Sequence, residues 1–289
     1  MITTNLKQMK NNSSGINSLG IRFFPFDKQN KPLFENDAPM CFITTRECGS
    51  MRFRWNEENI NRNRVLNLIQ KDCDLSHSVF ASVEQIHSQK VISIHNISDC
   101  DKIQADGIVT DNKKIIPVVT VADCMPIYIY DFKLKVFSVL HSGWKGTGII
   151  NNALKIFIEQ YNSSVENICA VIGPHIHKCC YIVDEERADY FIRNFGDNCV
   201  EELEENGKCY CGGKGLIVEW NNGNKKLFRL SLKNANINLL EQNGILSENI
   251  AIYDDCTCCD EMFGSNRRES SENQFSSFTV MATGIINKV

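Results

Sequence analysis

Thr120–Asp131 reads T-V-A-D-C-M-P-I-Y-I-Y-D, and Lys135–Gly148, after a short turn, reads K-V-F-S-V-L-H-S-G-W-K-G-T-G. The reading of these two stretches decides the fold. Ile115 to Tyr130 is apolar and β-branched, as a buried strand requires, but Asp123 and Cys124 interrupt it. Lys135 to Leu140 is a second strand, ending at His141 and a glycine-rich turn. A hairpin or adjacent pair built this way places the Cys124 thiol near the His141 ring. A soft sulfur beside an imidazole suits zinc or copper, or a thiol–imidazole catalytic pair.

Downstream, Ile149–Tyr161 carries Ile149, Ile150, Leu154, Phe157 and Ile158 on one face and is expected to be an amphipathic helix. The glycines leading into it let a backbone approach a ligand, and free N–H groups there suit an anion. The G-x-x-x-x-G-K-[ST] phosphate loop is absent. Ile168–Ile172 reads as a buried strand, Asp184–Phe195 as a helix, Leu216–Trp220 as a strand, and Leu230–Gln242 as a helix stopped by Asn243-Gly244. Ile250–Tyr253 is the next strand, and Ser277–Thr283 closes the chain.

Upstream, residues 1–18 are rich in Asn and Ser and are expected to form a disordered tail. The segments I-R-F-F-P-F and P-M-C-F-I-T-T-R read as strands, the second closed by Arg46. Arg46 suits either a surface ion pair or an anion clamp. Asn59–Lys71 has helical spacing, Val79–Val83 is a strand, and His87 follows it in E-Q-I-H-S-Q-K-V. Asp106 and Asp111, flanking the short strand in A-D-G-I-V-T-D, read as turn formers. No repeat or linker appears, so residues 19–289 are expected to form one domain.

The 289 residues are 43% hydrophobic and 23% charged, with a formal net charge of -4. That balance implies a globular core and gives no reason to expect nucleic acid or anionic membrane as a partner. No apolar run reaches the roughly 18–20 residues of a membrane span, and the first residues lack a signal-peptide core. A cytoplasmic location is expected. The fourteen cysteines do not resemble a disulfide framework and read mostly as free thiols. His175, His177, Cys179 and Cys180 crowd one loop as possible ligands, but without a matching partner pair such crowding reads as coincidence. Cys209 and Cys211 are candidates to pair with Cys256, Cys258 or Cys259 as a zinc knuckle, although C-x-C departs from the usual C-x-x-C turn.

The motifs Q-I-H-S, A-D-G-I-V-T-D, T-V-A-D-C-M-P, H-S-G-W-K-G-T-G, V-I-G-P-H-I and C-T-x-x-x-x-x-F-x-S-x-R-R resemble, in order, those of the YfiH family, also called the multicopper polyphenol oxidase or laccase-domain family. The resemblance implies a mixed α/β fold, a four-layer α/β/β/α sandwich shared with a cytotoxic necrotizing factor type of toxin domain. It implies a metal site of His87, Cys124 and His141, whose three ligands leave a fourth zinc position for water or substrate. The implied activity is phosphorolysis of adenosine, inosine and methylthioadenosine with deamination of adenosine. Purine nucleosides and phosphate would be the partners, in a monomer or homodimer. Cys124, His141 and Asp123 are the expected catalytic residues, and Arg46, Arg267 and Arg268 the expected substrate-binding ones. Copper in a laccase-like phenol oxidase, and a metal-free Cys/His hydrolase, are the alternatives. Four departures bear on substrate preference: Lys145 replaces an arginine, Ile182 a carboxylate, Ser231 an aspartate, and a T-G-R after the paired arginines is missing.

Overall fold

The strand Met125–Asp131 shows how the layers are made. Met125, Ile127 and Ile129 join one apolar cluster, while Tyr128 and Tyr130 join another. Alternate side chains leave opposite faces of a strand, so this strand has protein on both sides. The computed structural model describes residues 1–4, 21–23, 39–203, 210–211, 216–217, 226–272 and 277–287. Among them, Met125–Asp131 lies inside a seven-stranded mixed sheet. It pairs with Phe137–Ser142 in a hairpin, with Pro126 opposite His141, and with Ile168–Ile172 on its other edge.

A five-stranded sheet packs on that one. Val119 and Val121 of its strand Ile115–Val121 meet Tyr128, Tyr130, Phe137, Val139 and Val171 across the interface. Ile116 and Val118, pointing the other way, meet Val65, Leu66 and Ile69 of the helix Ile60–Asp72. The outer face of the seven-stranded sheet is covered by the helices Ile149–Tyr161, Glu185–Phe195 and Leu232–Gln242. The result is helix, sheet, sheet, helix, the α/β/β/α order that the family resemblance implies.

The run Ile115–Tyr130 is therefore two strands in two sheets. Ile115–Val121 belongs to the five-stranded sheet and Met125–Asp131 to the seven-stranded one, so the chain changes layer at Asp123-Cys124. Two other segments differ from the sequence reading. Ile2–Thr4 is an edge strand, parallel to Ile250–Tyr253, rather than part of a tail; residues 5–18 lie outside the described residues. The last described strand is Met281–Ile286, later than the residues expected, because pairing begins at Met281 with Ile115–Val121 and at Thr283 with Met40–Ile43. The rest of Leu216–Trp220 beyond Ile217, and Cys209, also lie outside the described residues. No described helix is long and apolar enough to cross a membrane.

Candidate metal centre

Three segments distant in sequence end at the seam between the sheets. The hairpin register sets Met125 opposite Ser142, so Cys124 and His141 flank neighbouring rungs. His87 arrives from the loop after the strand Val79–Ser82. The ligand atoms of His87, Cys124 and His141 all lie within 4.8 Å of one another. The two rings stand edge to face with centroids 4.8 Å apart. His141 is 2% exposed, Cys124 is half-buried and His87 is exposed, so the group opens to solvent on the His87 side.

Each motif has a local reason. The Gln85 amide donates to the Thr120 carbonyl at 2.9 Å, and its oxygen accepts from the Thr120 N–H and hydroxyl, which fixes the loop to the five-stranded sheet. His87 has φ +58° and Asp123 φ +80°, left-handed values that a non-glycine residue adopts at a cost of about 1–2 kcal/mol each. Both are held by hydrogen bonds. The Asp106 carboxylate accepts from His87 N–H at 2.9 Å, from Ser88 N–H at 2.6 Å and from the Ser88 hydroxyl at 2.7 Å. The same carboxylate accepts a hydrogen bond from His141 Nδ1–H at 3.0 Å, which turns Nε2 toward Cys124 and His87. Asp106 was read from the sequence as a turn former. It is fully buried and ties two of the three segments together. Gly143 leaves the room the thiol occupies, since a Cβ there would sit 2.9 Å from Cys124 Sγ.

Burial alone would raise the Cys124 thiol, but the charge and hydrogen bond of His141, and then those of His87, bring it down to about 6. Burial would lower His141, and the opposing pull of Cys124 and Asp106 lifts it to about 10. The opposing shifts, Cys124 down and His141 up, favour a thiolate–imidazolium pair when no metal is bound. One sulfur and two imidazole nitrogens at mutual bonding range fit a soft or borderline divalent cation.

Asp123 sits at the layer change, 8% exposed. Its carboxylate accepts from the Thr257 hydroxyl at 2.8 Å and from Arg267 N–H at 2.6 Å. Both oxygens are thus engaged in joining the Cys256–Phe263 loop and the short helix Asn266–Glu272 to the seam. Arg267 reaches the Ile182 carbonyl and lies 5.9 Å over the Tyr181 ring. Arg46 pairs with Glu269 of the same helix at 3.5 Å and keeps 38% of its side chain exposed. Arg268 differs: it is 4% exposed and donates to the carbonyls of Thr257, Cys258, Asp260 and Phe263. It clamps the loop from inside, which corrects its reading as an anion ligand.

The wall beside Cys124 contains residues the sequence reading did not select. Arg187 stacks 4.3 Å over the Trp144 ring, with Lys145 Nζ at 5.3 Å from the same ring. Burial pushes the Tyr181 phenol up to about 12, against the pull of Arg187 and with the push of the Cys124 thiolate. The tryptophan of H-S-G-W-K-G was the available signal for this wall. The departures at Ser231 and Ile182 are absorbed locally. Ser231 still caps its helix by accepting from Asn234 N–H at 3.1 Å, and Ile182 serves Arg267 through its backbone oxygen.

Four layers with a Cys/His2 group at the seam of two sheets define a mixed α/β protein with a centre competent to hold a metal. A family model described as multi-copper polyphenol oxidoreductase laccase matches residues 48–282, and the chain belongs to that family, the YfiH family. A purine nucleoside phosphorylase of Clostridium acetobutylicum is 29% identical over 88% of this chain and 97% of its own length. Purine nucleoside phosphorylase YlmD of Bacillus subtilis is 31% identical over 58% of this chain and 55% of its own. Among solved structures, Bacillus licheniformis YfiH superposes with a TM-score of 0.71 at 24% identity, covering 86% of this chain and 93% of that one. YlmD from Geobacillus stearothermophilus gives 0.69 at 21% identity, covering 89% of this chain and 94% of that one.

Proposed function

We propose that the protein is a zinc-dependent purine nucleoside enzyme. It splits adenosine, inosine and methylthioadenosine with phosphate and deaminates adenosine. The convergence of His87, Cys124 and His141 at the seam carries this reading, and the phosphorylase names of its relatives support the substrate class. His87, Cys124 and His141 Nε2 would hold the ion. When bound, it supplies a Lewis acid.

The chain's own groups do the rest. Asp106 keeps the His141 Nδ1 proton and so fixes which ring nitrogen faces the centre. Arg267, within the helix Asn266–Glu272, and Arg46, paired with Glu269 of that helix, offer positive charge to phosphate oxygens. Tyr181 and the Trp144–Arg187 stack form an aromatic wall suited to a purine ring. Asp123, the expected catalytic carboxylate, accepts from the Thr257 hydroxyl and Arg267 N–H and so positions Arg267 while keeping lone pairs for a proton.

Incubation of the metal-loaded protein with adenosine and phosphate tests the proposal. Adenine, inosine and ribose phosphate are expected; none of these at any metal loading removes it. The family description favours a second reading, a copper-dependent phenol oxidase. Oxygen consumption with a phenolic donor by the copper-loaded protein would select it. The thiolate–imidazolium pair favours a third, a metal-free hydrolase, which a chelator would leave active.

A further inference from the structure

A second group of soft ligands lies in the loops behind Asp123. Cys179 and Cys180 come from the turn after Ile168–Ile172, and Cys256 and Cys259 from the turn after Ile250–Tyr253. The Cys179 sulfur lies 3.4 Å from that of Cys180, 3.8 Å from that of Cys256 and 3.6 Å from that of Cys259. Cys180 is 3.3 Å from Cys259 and 3.8 Å from Cys256. All four sulfurs fall within 4.8 Å of one another, and no residue is shared with the His87 group. Sulfurs bound about 2.3 Å from one tetrahedral zinc stand about 3.8 Å apart. The observed spacings are those of a slightly contracted tetrahedron around one atom. These five spacings are all well beyond the about 2.05 Å of a disulfide. The cluster is too tight to enclose a multi-iron core, whose own atoms would stand between the thiolates.

The backbone is shaped to present these sulfurs. Cys256-Thr-Cys-Cys259 is a C-x-x-C turn, closed by Cys259 N–H and Asp260 N–H donating to the Cys256 carbonyl at 3.1 and 2.9 Å. The facing turn is closed by Cys180 N–H and Tyr181 N–H donating to the His177 carbonyl, both at 2.9 Å. The turns are joined by a bridge between His175 and Cys256. His177 N–H donates to Cys256 Sγ at 3.4 Å, the kind of bond that supports a thiolate ligand. Arg268 sets a buried positive charge against the carbonyls of the C-x-x-C turn, where a site of four thiolates and one zinc carries net negative charge.

We propose that Cys179, Cys180, Cys256 and Cys259 form a structural site for one zinc ion, independent of the His87–Cys124–His141 centre. The four thiols give up their protons to solvent as zinc binds. All four positions are filled by protein, so the site is closed and does no chemistry of its own. Its work is mechanical. It pins together the two turns that carry Tyr181 and Thr257, and those residues meet Arg267 and Asp123 at the wall of the other centre. Nothing local in the sequence joins Cys180 to Cys259, which lie 79 positions apart.

Elemental analysis of the protein purified with zinc alone tests this. The unaltered chain is expected to hold two zinc ions, and His87→Ala/His141→Ala to hold one. Cys180→Ser/Cys259→Ser is expected to lose one ion and keep the other. X-ray absorption at the zinc edge on the histidine variant makes the test independent of whether the cysteine variant folds. A shell of four sulfurs at about 2.3 Å is expected. A histidine variant without zinc, nitrogen in its zinc shell, or an intact mass lowered by four hydrogens through pairwise oxidation each overturns the proposal.

Discussion

Replacing Asp106 with Asn removes one charge and alters one atom at the point where two loops and a ligand meet. The amide oxygen can still serve His141 Nδ1 and His87 N–H, at 3.0 and 2.9 Å in the unaltered protein. The new NH2 then faces the Ser88 hydroxyl and N–H, which now donate to a carboxylate oxygen at 2.7 and 2.6 Å. The hydroxyl can turn to accept, but the N–H cannot. One charged hydrogen bond is lost, about 1.5–3 kcal/mol, and a part-buried donor is stranded, about 1–3 kcal/mol, for a total of about 2.5–6 kcal/mol. At this chain length the apo protein should melt about 4–10 °C lower. The loss of negative charge behind His141 should weaken zinc about 10–100-fold at the centre that His141→Ala abolishes. Competition with a chromophoric chelator reads the affinity, and a thermal melt in chelator reads the stability. A lowered melting temperature with zinc affinity within about threefold of the unaltered protein would show that Asp106 only braces the loop, refuting its assigned control of the His141 ligand.

Gly143→Ala would press a methyl group against Cys124 Sγ at 2.9 Å and His87 at 3.7 Å; a stability loss of about 1–3 kcal/mol with zinc missing from that centre alone is expected from unfolding and metal analysis. Metal affinity should depend on pH with a definite sign. Between the Cys124 value of about 6 and the His141 value of about 10, entering zinc displaces the His141 proton, so affinity should rise about tenfold per pH unit between roughly 7 and 9. Below about 6 the Cys124 thiol also takes a proton and the dependence should steepen; a flat profile from chelator competition contradicts the assignment. Arg46→Ala and Arg267→Ala should each raise the KM for phosphate about tenfold or more, the worth of one charge-assisted contact, while zinc content stays unchanged.

The layers were legible because they are local in sequence. The apolar run broken at Asp123-Cys124, and the helical spacing of Ile149–Tyr161, needed no distant partner to be read. The sequence did not say that the two halves of that run enter different sheets, since alternation reports burial and not which neighbour does the burying. His87 was legible only through its family motif, because an isolated histidine in a loop carries no local mark. Asp106 was read as a turn former because its use lies in contacts 18, 19 and 35 positions away. Arg268 and Arg267 are adjacent in sequence, yet one points into the loop and the other toward Tyr181. Direction of that kind is set by tertiary packing and not by residue type.

A crystal of the zinc-loaded protein, measured on both sides of the zinc absorption edge, tests the central claim most directly. An anomalous peak within bonding distance of His141 Nε2, Cys124 Sγ and a His87 ring nitrogen is the predicted result. A map with no peak between those three side chains, from protein that turns over adenosine, would contradict it.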